Sequence, residues 1–115
     1  MNYCISGLSG FIGQAVSKYL LEKGEAVHGI PRGLTIEILV PYLVLCDTDY
    51  IINMASYGNH YDYQKDFRQM VETNIMGTYN LLEAAKSIDY KLFYHVSASS
   101  ISPSYYYETK LCGER

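Results

Sequence analysis

Tyr3-Cys4-Ile5-Ser6-Gly7-Leu8-Ser9-Gly10-Phe11-Ile12-Gly13 is the stretch that decides how this chain is read. Tyr3, Cys4 and Ile5 make a short apolar run of the kind a buried strand uses. Glycines then recur as Gly-x-x-Gly-x-x-Gly, and helical periodicity starts at once. Ile12, Ala15, Val16, Tyr19 and Leu20 are spaced to share one face of a helix. A strand, a glycine turn and a helix in that order form a diphosphate site. Gly7 permits the sharp turn, Gly10 lets backbone approach a pyrophosphate, and Gly13 lets the helix lie against the sheet. The open N–H groups and the positive end of the helix then face the anion. Gly7, Ser9, Gly10, Phe11, Ile12 and Gly13 are therefore the expected contacts to the phosphates of a dinucleotide.

The helix is expected to stop at Lys23-Gly24, a cation in the last turn with a glycine after it. The apolar run Ala26 to Ile30 reads as the second strand. Next comes Pro31-Arg32-Gly33. At this strand end an acidic residue would bind a ribose 2′-hydroxyl and repel a 2′-phosphate. The sequence has no acid between Glu25 and Glu37. Arg32 stands where a cation holds a 2′-phosphate, which favours NADP over NAD. The plain alternative is a solvated loop arginine.

Composition narrows the class. The 115 residues suit one small dinucleotide-binding domain over 1–115. A net charge of −3, with no basic run, argues against a nucleic-acid partner. No apolar stretch of about 20 residues is present to span a membrane. The chain begins directly with a strand pattern rather than a charged leader, so no signal peptide is expected. The three cysteines, Cys4, Cys46 and Cys112, are odd in number and far apart. They fit neither a disulfide framework nor a zinc site, so the expected compartment is a reducing cytoplasm and no metal is expected.

Ile36, Leu39, Val40, Leu43 and Val44 have helical spacing, but Pro41 lies among them. Either one helix passes through Pro41, or a short strand ends at Val40 and a helix starts at the proline. The helix is the preferred reading, and the third strand of the usual order is then short or absent. Asp49 to Ala55 is a further strand ending in small residues, Ala55-Ser56, where backbone approaches a ligand. In the loop that follows, Asn59 and His60 could touch substrate, or simply be solvated; a lone histidine is no metal site. Asp66 to Ser87 reads as one long helix in which Val71, Ile75, Thr78, Leu82 and Ala85 repeat at helical spacing. Asn74 and Gly77 each cost helix propensity, up to about 1 kcal/mol. Gly77 is expected to pack closely on a neighbouring element, and Asn74 to make a polar contact.

Lys91 to Ser97 is the next strand, and a serine-rich turn follows it. Tyr106 and Lys110, four residues apart, share one face of a final helix. A phenol with a reference pKa of about 10 is a poor base at neutrality, and lowering it three units takes about 4 kcal/mol. A unit charge about 4 Å away, at an effective dielectric near 20, supplies that much. One lysine can thus turn Tyr106 into an acid–base group.

At this point the chain resembles the extended short-chain dehydrogenase/reductase family, the NAD-dependent epimerase/dehydratase group. The resemblance rests on Ser6–Gly13, Asp49–Ala55, Asn74–Ala85 (Asn-Ile-Met-Gly-Thr-Tyr-Asn-Leu-Leu-Glu-Ala-Ala) and Tyr106–Glu114, in the family's order. It implies an α/β fold: a doubly wound, Rossmann-like parallel sheet with helices on both faces, truncated before the substrate lobe. It implies NADP, or NAD as the alternative, and a nucleotide-sugar or other small-molecule substrate. Tyr106 would be the general acid/base, Lys110 would hold the nicotinamide ribose and lower the tyrosine pKa, and Asn74 would support a proton relay. Ala98 falls where the family keeps a catalytic serine or threonine; Ser97 and Ser99 flank it, and Ser99 is the candidate. Cofactor contacts from Ala55, Ser56, Asn74, Tyr106 and Lys110 join those of the glycine turn and Arg32. The loop before Tyr106 is shorter than the family's. The helices carrying Asn74 and Tyr106 would form a homodimer interface. Three roles remain open: an NADP-linked sugar-nucleotide epimerase, dehydratase or reductase; a non-catalytic NADP-binding module; and a pure assembly role.

Overall fold

A computed structural model describes residues 1–55, 68 and 71–96. Strand β1 (Asn2–Ser6) leads through the glycine turn into helix α1 (Phe11–Glu22) and then strand β2 (Ala26–Ile30). Helix α2 (Ile36–Leu45) returns the chain to strand β3 (Tyr50–Asn53). A π-helical turn (Val71–Met76) runs straight into helix α3 (Gly77–Ala85), and strand β4 (Leu92–His95) follows.

All four strands are parallel, in the order β2-β1-β3-β4. No strand intervenes between β2 and β3 in the chain. The third strand is absent, as expected, and that absence sets the layering. From β1 to β2 the chain moves one way across the sheet; from β2 to β3 and β3 to β4 it moves the other way. Right-handed crossovers therefore put α2 and α3 together on the face opposite α1. Cys4 and Ile51 of the sheet meet Leu39 and Leu43 of α2 and Leu81, Ala84 and Ala85 of α3 in one buried cluster. Between β1 and β3 the connections diverge, and the carboxyl ends of those strands border the crevice where such sheets bind ligands.

Pro41 lies inside α2, so the one-helix reading holds. Both α1 and α2 end in Schellman motifs. Glu25 N–H bonds Leu20 O at 3.0 Å with Gly24 at φ +81°, and Thr48 N–H bonds Leu43 O at 3.3 Å with Asp47 at φ 49°.

Three expectations need correction. The apolar stripe expected on α1 is not its buried face, because Ile12, Ala15 and Tyr19 are exposed. The inward face is Gly13, Val16, Ser17 and Leu20, since only at Gly13 can the helix approach the turn so closely. The helix expected over 66–87 is not uniformly α-helical. Its π-turn changes the phase, so that Asn74, Thr78, Leu81 and Ala85 are buried while Leu82 is exposed. Among the described residues, Gly77 has no close neighbour to accommodate. It is exposed, and of the described residues a Cβ there would meet only Glu72 O, at an ordinary 3.5 Å.

The opposite face of the sheet bears Tyr3, Tyr50 and Tyr94, with the Tyr3 and Tyr50 rings stacked 4.8 Å apart. Among the described residues, no helix is long and apolar enough to cross a membrane.

Candidate functional site

The glycine turn is held in shape by close contacts. Gly7 has φ +75°, and a Cβ on it would lie 2.8 Å from Ala55 N and from the Met54 carbonyl carbon. A side chain at Gly13 would sit on the Gly7 carbonyl oxygen and 2.8 Å from that of Leu8. Gly7 thus presses the turn onto the end of β3, and Gly13 presses the helix onto the turn rather than onto the sheet proper. Gly10 N–H bonds Gly7 O at 3.2 Å, and the first helical bond runs from Gln14 N–H to Gly10 O at 2.9 Å. No side chain caps α1, and its first turn carries no acid. The N–H groups of Phe11, Ile12 and Gly13 have no intrahelical acceptor. Ser9, Gly10, Phe11 and Ile12 are exposed, Phe11 by 93%. The result is an open ring of donors at the positive end of a helix dipole, and it fits a pyrophosphate.

Beneath the turn lies a buried polar network. The Ser6 hydroxyl donates to Asn53 Oδ1 at 2.6 Å and accepts from Met54 N–H and Ala55 N–H, both at 3.1 Å. Asn53 Nδ2 reaches Thr78 Oγ1 at 2.9 Å and His95 Nδ1 at 3.1 Å. The Thr78 hydroxyl donates to the Asn74 carbonyl at 3.1 Å. Last residues of β1, β3 and β4 are thereby tied to the π-turn. Nearby, Cys4 Sγ lies 3.0 Å from Thr48 Oγ1. Burial pushes the Cys4 thiol up to about 12, with the Thr48 bond working the other way.

Beside the turn, the carboxyl ends of three strands open into a pocket of about 450 Å³. Ser6, Ile30 and Asn53, the last residues of β1, β2 and β3, line it. One wall is the connection Pro31 to Thr35, including exposed Arg32. The other comes from the π-turn and α3: Glu72, Thr73, Met76, Gly77, Asn80 and Leu81. Ala55 lines the pocket as well. The turn has the geometry for a pyrophosphate and the pocket beside it the room for a nucleoside, its size lying in the range of roughly 300–1,000 Å³ usual for small-ligand pockets.

Of the site residues expected from sequence, the structure brings together Gly7, Ser9, Gly10, Phe11, Ile12 and Gly13 on the turn and Arg32 and Ala55 in the adjoining pocket. Asn74 is fully buried in the π-turn and is not among the pocket-lining residues. Ser56, Asn59, His60, Ser97, Ala98, Ser99, Tyr106 and Lys110 lie outside the described residues. Glu72 and Asn80 were missed. An acid was sought only near the end of β2, whereas Glu72 enters the same pocket from the opposite wall. Asn80 did carry a signal: Asn74, Gly77 and Asn80 are three poor helix formers at a spacing of three. Among the described residues, no three His, Cys, Asp or Glu side chains are grouped to hold a metal.

Comparison with known proteins bears on the same features. The sequence profile of the NAD dependent epimerase/dehydratase family matches residues 3–110. A search of curated proteins gives no match. Among solved structures, UDP-glucuronic acid 4-epimerase from Bacillus cereus, in complex with NAD, superposes with a TM-score of 0.82 at 27% identity, over 99% of this chain and 49% of that one. UDP-glucose 4-epimerase from Thermotoga maritima, with UDP-glucose, gives 0.84 at 21% identity, over 99% and 49%. The dTDP-4-dehydrorhamnose reductase of Bacillus anthracis, in complex with NADP, gives 0.80 at 17% identity, over 98% and 47%. At these last two identities the likeness is one of fold alone. The chain spans about half the length of these structures. With its glycine turn, parallel sheet and a profile match along nearly all its length, this chain belongs to the NAD dependent epimerase/dehydratase family.

Proposed function

We propose that this chain is the dinucleotide-binding part of a nicotinamide-dependent epimerase, dehydratase or reductase acting on a nucleotide-linked sugar. The observation that carries the proposal is the turn at Gly7–Gly13, whose exposed donors fit a pyrophosphate. Family membership and the likeness to an NAD-bound UDP-sugar epimerase support the substrate class.

When bound, the dinucleotide supplies a hydride acceptor and donor at its nicotinamide ring. The chain's own residues bind, orient and move protons. Backbone N–H groups of the turn hold the phosphates. Tyr106 takes and returns the proton of a sugar hydroxyl, with the Lys110 ammonium one helical turn away lowering its pKa. Ser99 is the candidate donor to the substrate oxygen, and Asn74 supports the relay from the π-turn. These assignments rest on spacing in the sequence and on the family's pattern. Substitution of Tyr106 by Phe, assayed with UDP- and dTDP-linked sugars, tests them; undiminished turnover removes Tyr106 from the mechanism.

For the cofactor's ribose, Arg32 favours a 2′-phosphate and hence NADP. Glu72 in the same pocket favours a free 2′-hydroxyl and hence NAD. Titration of NADPH and NADH, followed by the fluorescence of the reduced ring, separates the two. Tighter NADPH binding that is lost in Arg32→Ala supports NADP; equal or tighter NADH binding establishes NAD.

A second reading has a specific basis in Ala98, which stands where the family has a catalytic serine or threonine. In that reading the chain binds the dinucleotide without turnover. In either case we place it in the cytoplasm, as a homodimer through the helices carrying Asn74 and Tyr106. Sedimentation of the chain as a monomer would remove the dimer.

A further inference from the structure

We propose that Asn80 reads the adenine base of the dinucleotide, across a pocket wall that Gly77 leaves without a side chain. The inference rests on the dinucleotide reading above and adds to it the residue that selects the base.

Elimination identifies Asn80. Among the described residues, the uncharged polar side chains on the pocket wall are Ser6, Thr35, Asn53, Thr73 and Asn80. Ser6 and Asn53 are committed to each other and to their neighbours beneath the turn. Thr73 has a partner of its own. Thr35, exposed at the start of α2, offers a single hydroxyl. Asn80 is half-buried and makes no hydrogen bond to any described residue. With the Asn53 carboxamide committed, that of Asn80 is the uncommitted planar group, among the described residues, presenting a donor and an acceptor side by side to the pocket.

Gly77 points the same way. It precedes Asn80 by three residues, so the two lie on one side of α3. Its φ is not positive, and alanine would meet nothing among the described residues closer than 3.5 Å. Neither backbone conformation nor packing against the described residues therefore requires glycine here. What its missing Cβ provides is room on the pocket side, next to Asn80.

The chain's shortened topology supplies the reason. Only Pro31 to Thr35 separate β2 from α2, with no further strand between β2 and β3 in the chain to wall the pocket. Among the described residues, polar recognition then falls to α3. A carboxamide meets adenine in two bonds: Oδ1 accepts from the N6 amino group and Nδ2 donates to N7. Hypoxanthine carries a carbonyl oxygen at position 6, which faces Oδ1 as a second acceptor. Ile30 and Leu34 from the other side of the pocket offer apolar cover for the ring.

The test compares reduced dinucleotides carrying adenine with those carrying hypoxanthine, with and without the 2′-phosphate, on the 115-residue chain. Ring fluorescence reads binding. The wild type is expected to prefer adenine by about ten-fold or more, as one bidentate pair provides. Asn80→Ala should weaken the adenine forms and leave the hypoxanthine forms nearly unchanged, bringing the ratio close to one. Gly77→Ala should bind both bases several-fold more weakly while melting at a higher temperature, because alanine is the better helix former. An adenine preference that survives Asn80→Ala, or no preference in the wild type, overturns the inference and leaves the dinucleotide reading standing. Wild-type-like binding by Gly77→Ala overturns the role given to that glycine. Failure of the wild type to bind any of these probes overturns the dinucleotide reading, and the inference falls with it.

Discussion

The two turns that follow β1 and β2 sit side by side at the same edge of the sheet, yet they are built on different terms. In the first, Gly7 and Gly13 face backbone atoms so close that no Cβ fits. In the second, Gly33 has φ +72° with none of the described residues within 4 Å of a would-be Cβ, and Arg32 stands exposed beside it. One turn is a shape fixed by crowding. The other is an open connection whose contribution is the charge it displays. Substitution in the first should therefore cost fold and ligand together, and in the second should cost little stability and act mainly on ligand selectivity.

The sharpest way to break this comparison is Gly13→Ala. The added methyl group overlaps the Gly7 carbonyl, and the opposing atoms are backbone that cannot swing aside. We expect a loss of about 3 kcal/mol, at the upper end of overpacking costs. Denaturant melts provide the measurement, and a variant as stable as the wild type would show that the turn is not held by contact. Ser6→Ala comes next. Ala55 N–H loses its acceptor, Met54 N–H keeps only the Ser6 carbonyl, and Asn53 Oδ1 loses its donor. The expected loss is about 2 kcal/mol, with dinucleotide affinity falling alongside because Ser6 anchors the strand just before Gly7. Should stability fall and affinity stay, the network supports the sheet but not the turn.

Strand β1 also carries a pH signature. The Cys4 thiol, ordinarily near 9, is pushed to about 12 by burial. A group whose folded pKa is raised lends stability that is complete below its unfolded pKa and is lost as pH climbs through the folded one. Stability should thus fall between about pH 9 and 12, by about 2 kcal/mol within the first unit and a half. Cys4→Ala should flatten that part of the decline. Tyr3 and Tyr42, also raised by burial, should keep the rest.

How much of this was legible follows from the same contrast. The glycine turn could be read because steric exclusion acts between near neighbours in sequence, and Gly7, Gly10 and Gly13 declare it directly. The buried face of α1 was misread for a related reason. Apolar content nominated Ile12, Ala15 and Tyr19, whereas the closest-approach point, Gly13, decides which way a helix rolls. The pocket was harder still. Its far wall comes from residues some forty positions after Arg32, and a π-turn shifts their phase by about one residue. Periodicity counted at 3.6 residues could not place Glu72 or Asn80. The missing third strand was visible at Pro41, but its consequence, α2 lying beside α3, needed the handedness of the crossover as well.

Within the second turn, Gly33→Ala should be mild. Alanine at φ +72° is strained by about 1 kcal/mol, with no clash to add. A loss of 3 kcal/mol or more in thermal melts would erase the distinction between the two turns.

Arg32→Ala isolates what remains once shape is set aside. The side chain is exposed and makes no ion pair among the described residues, so its removal should change stability by less than about 0.5 kcal/mol. Its effect should fall on the dinucleotide. A guanidinium beside a 2′-phosphate is worth about 1.5–3 kcal/mol as a charge-assisted bond. NADPH should therefore bind roughly ten-fold or more weakly in the variant, while NADH, lacking that phosphate, should change little. The difference should shrink with added salt, since an exposed pair is screened over about 10 Å at 0.1 M. Glu72→Gln supplies the reciprocal arm: removing a carboxylate from the same pocket should favour NADPH. If Arg32→Ala weakens both dinucleotides equally, the arginine acts on the pocket's shape after all, and the second turn is more like the first than its open glycine suggests.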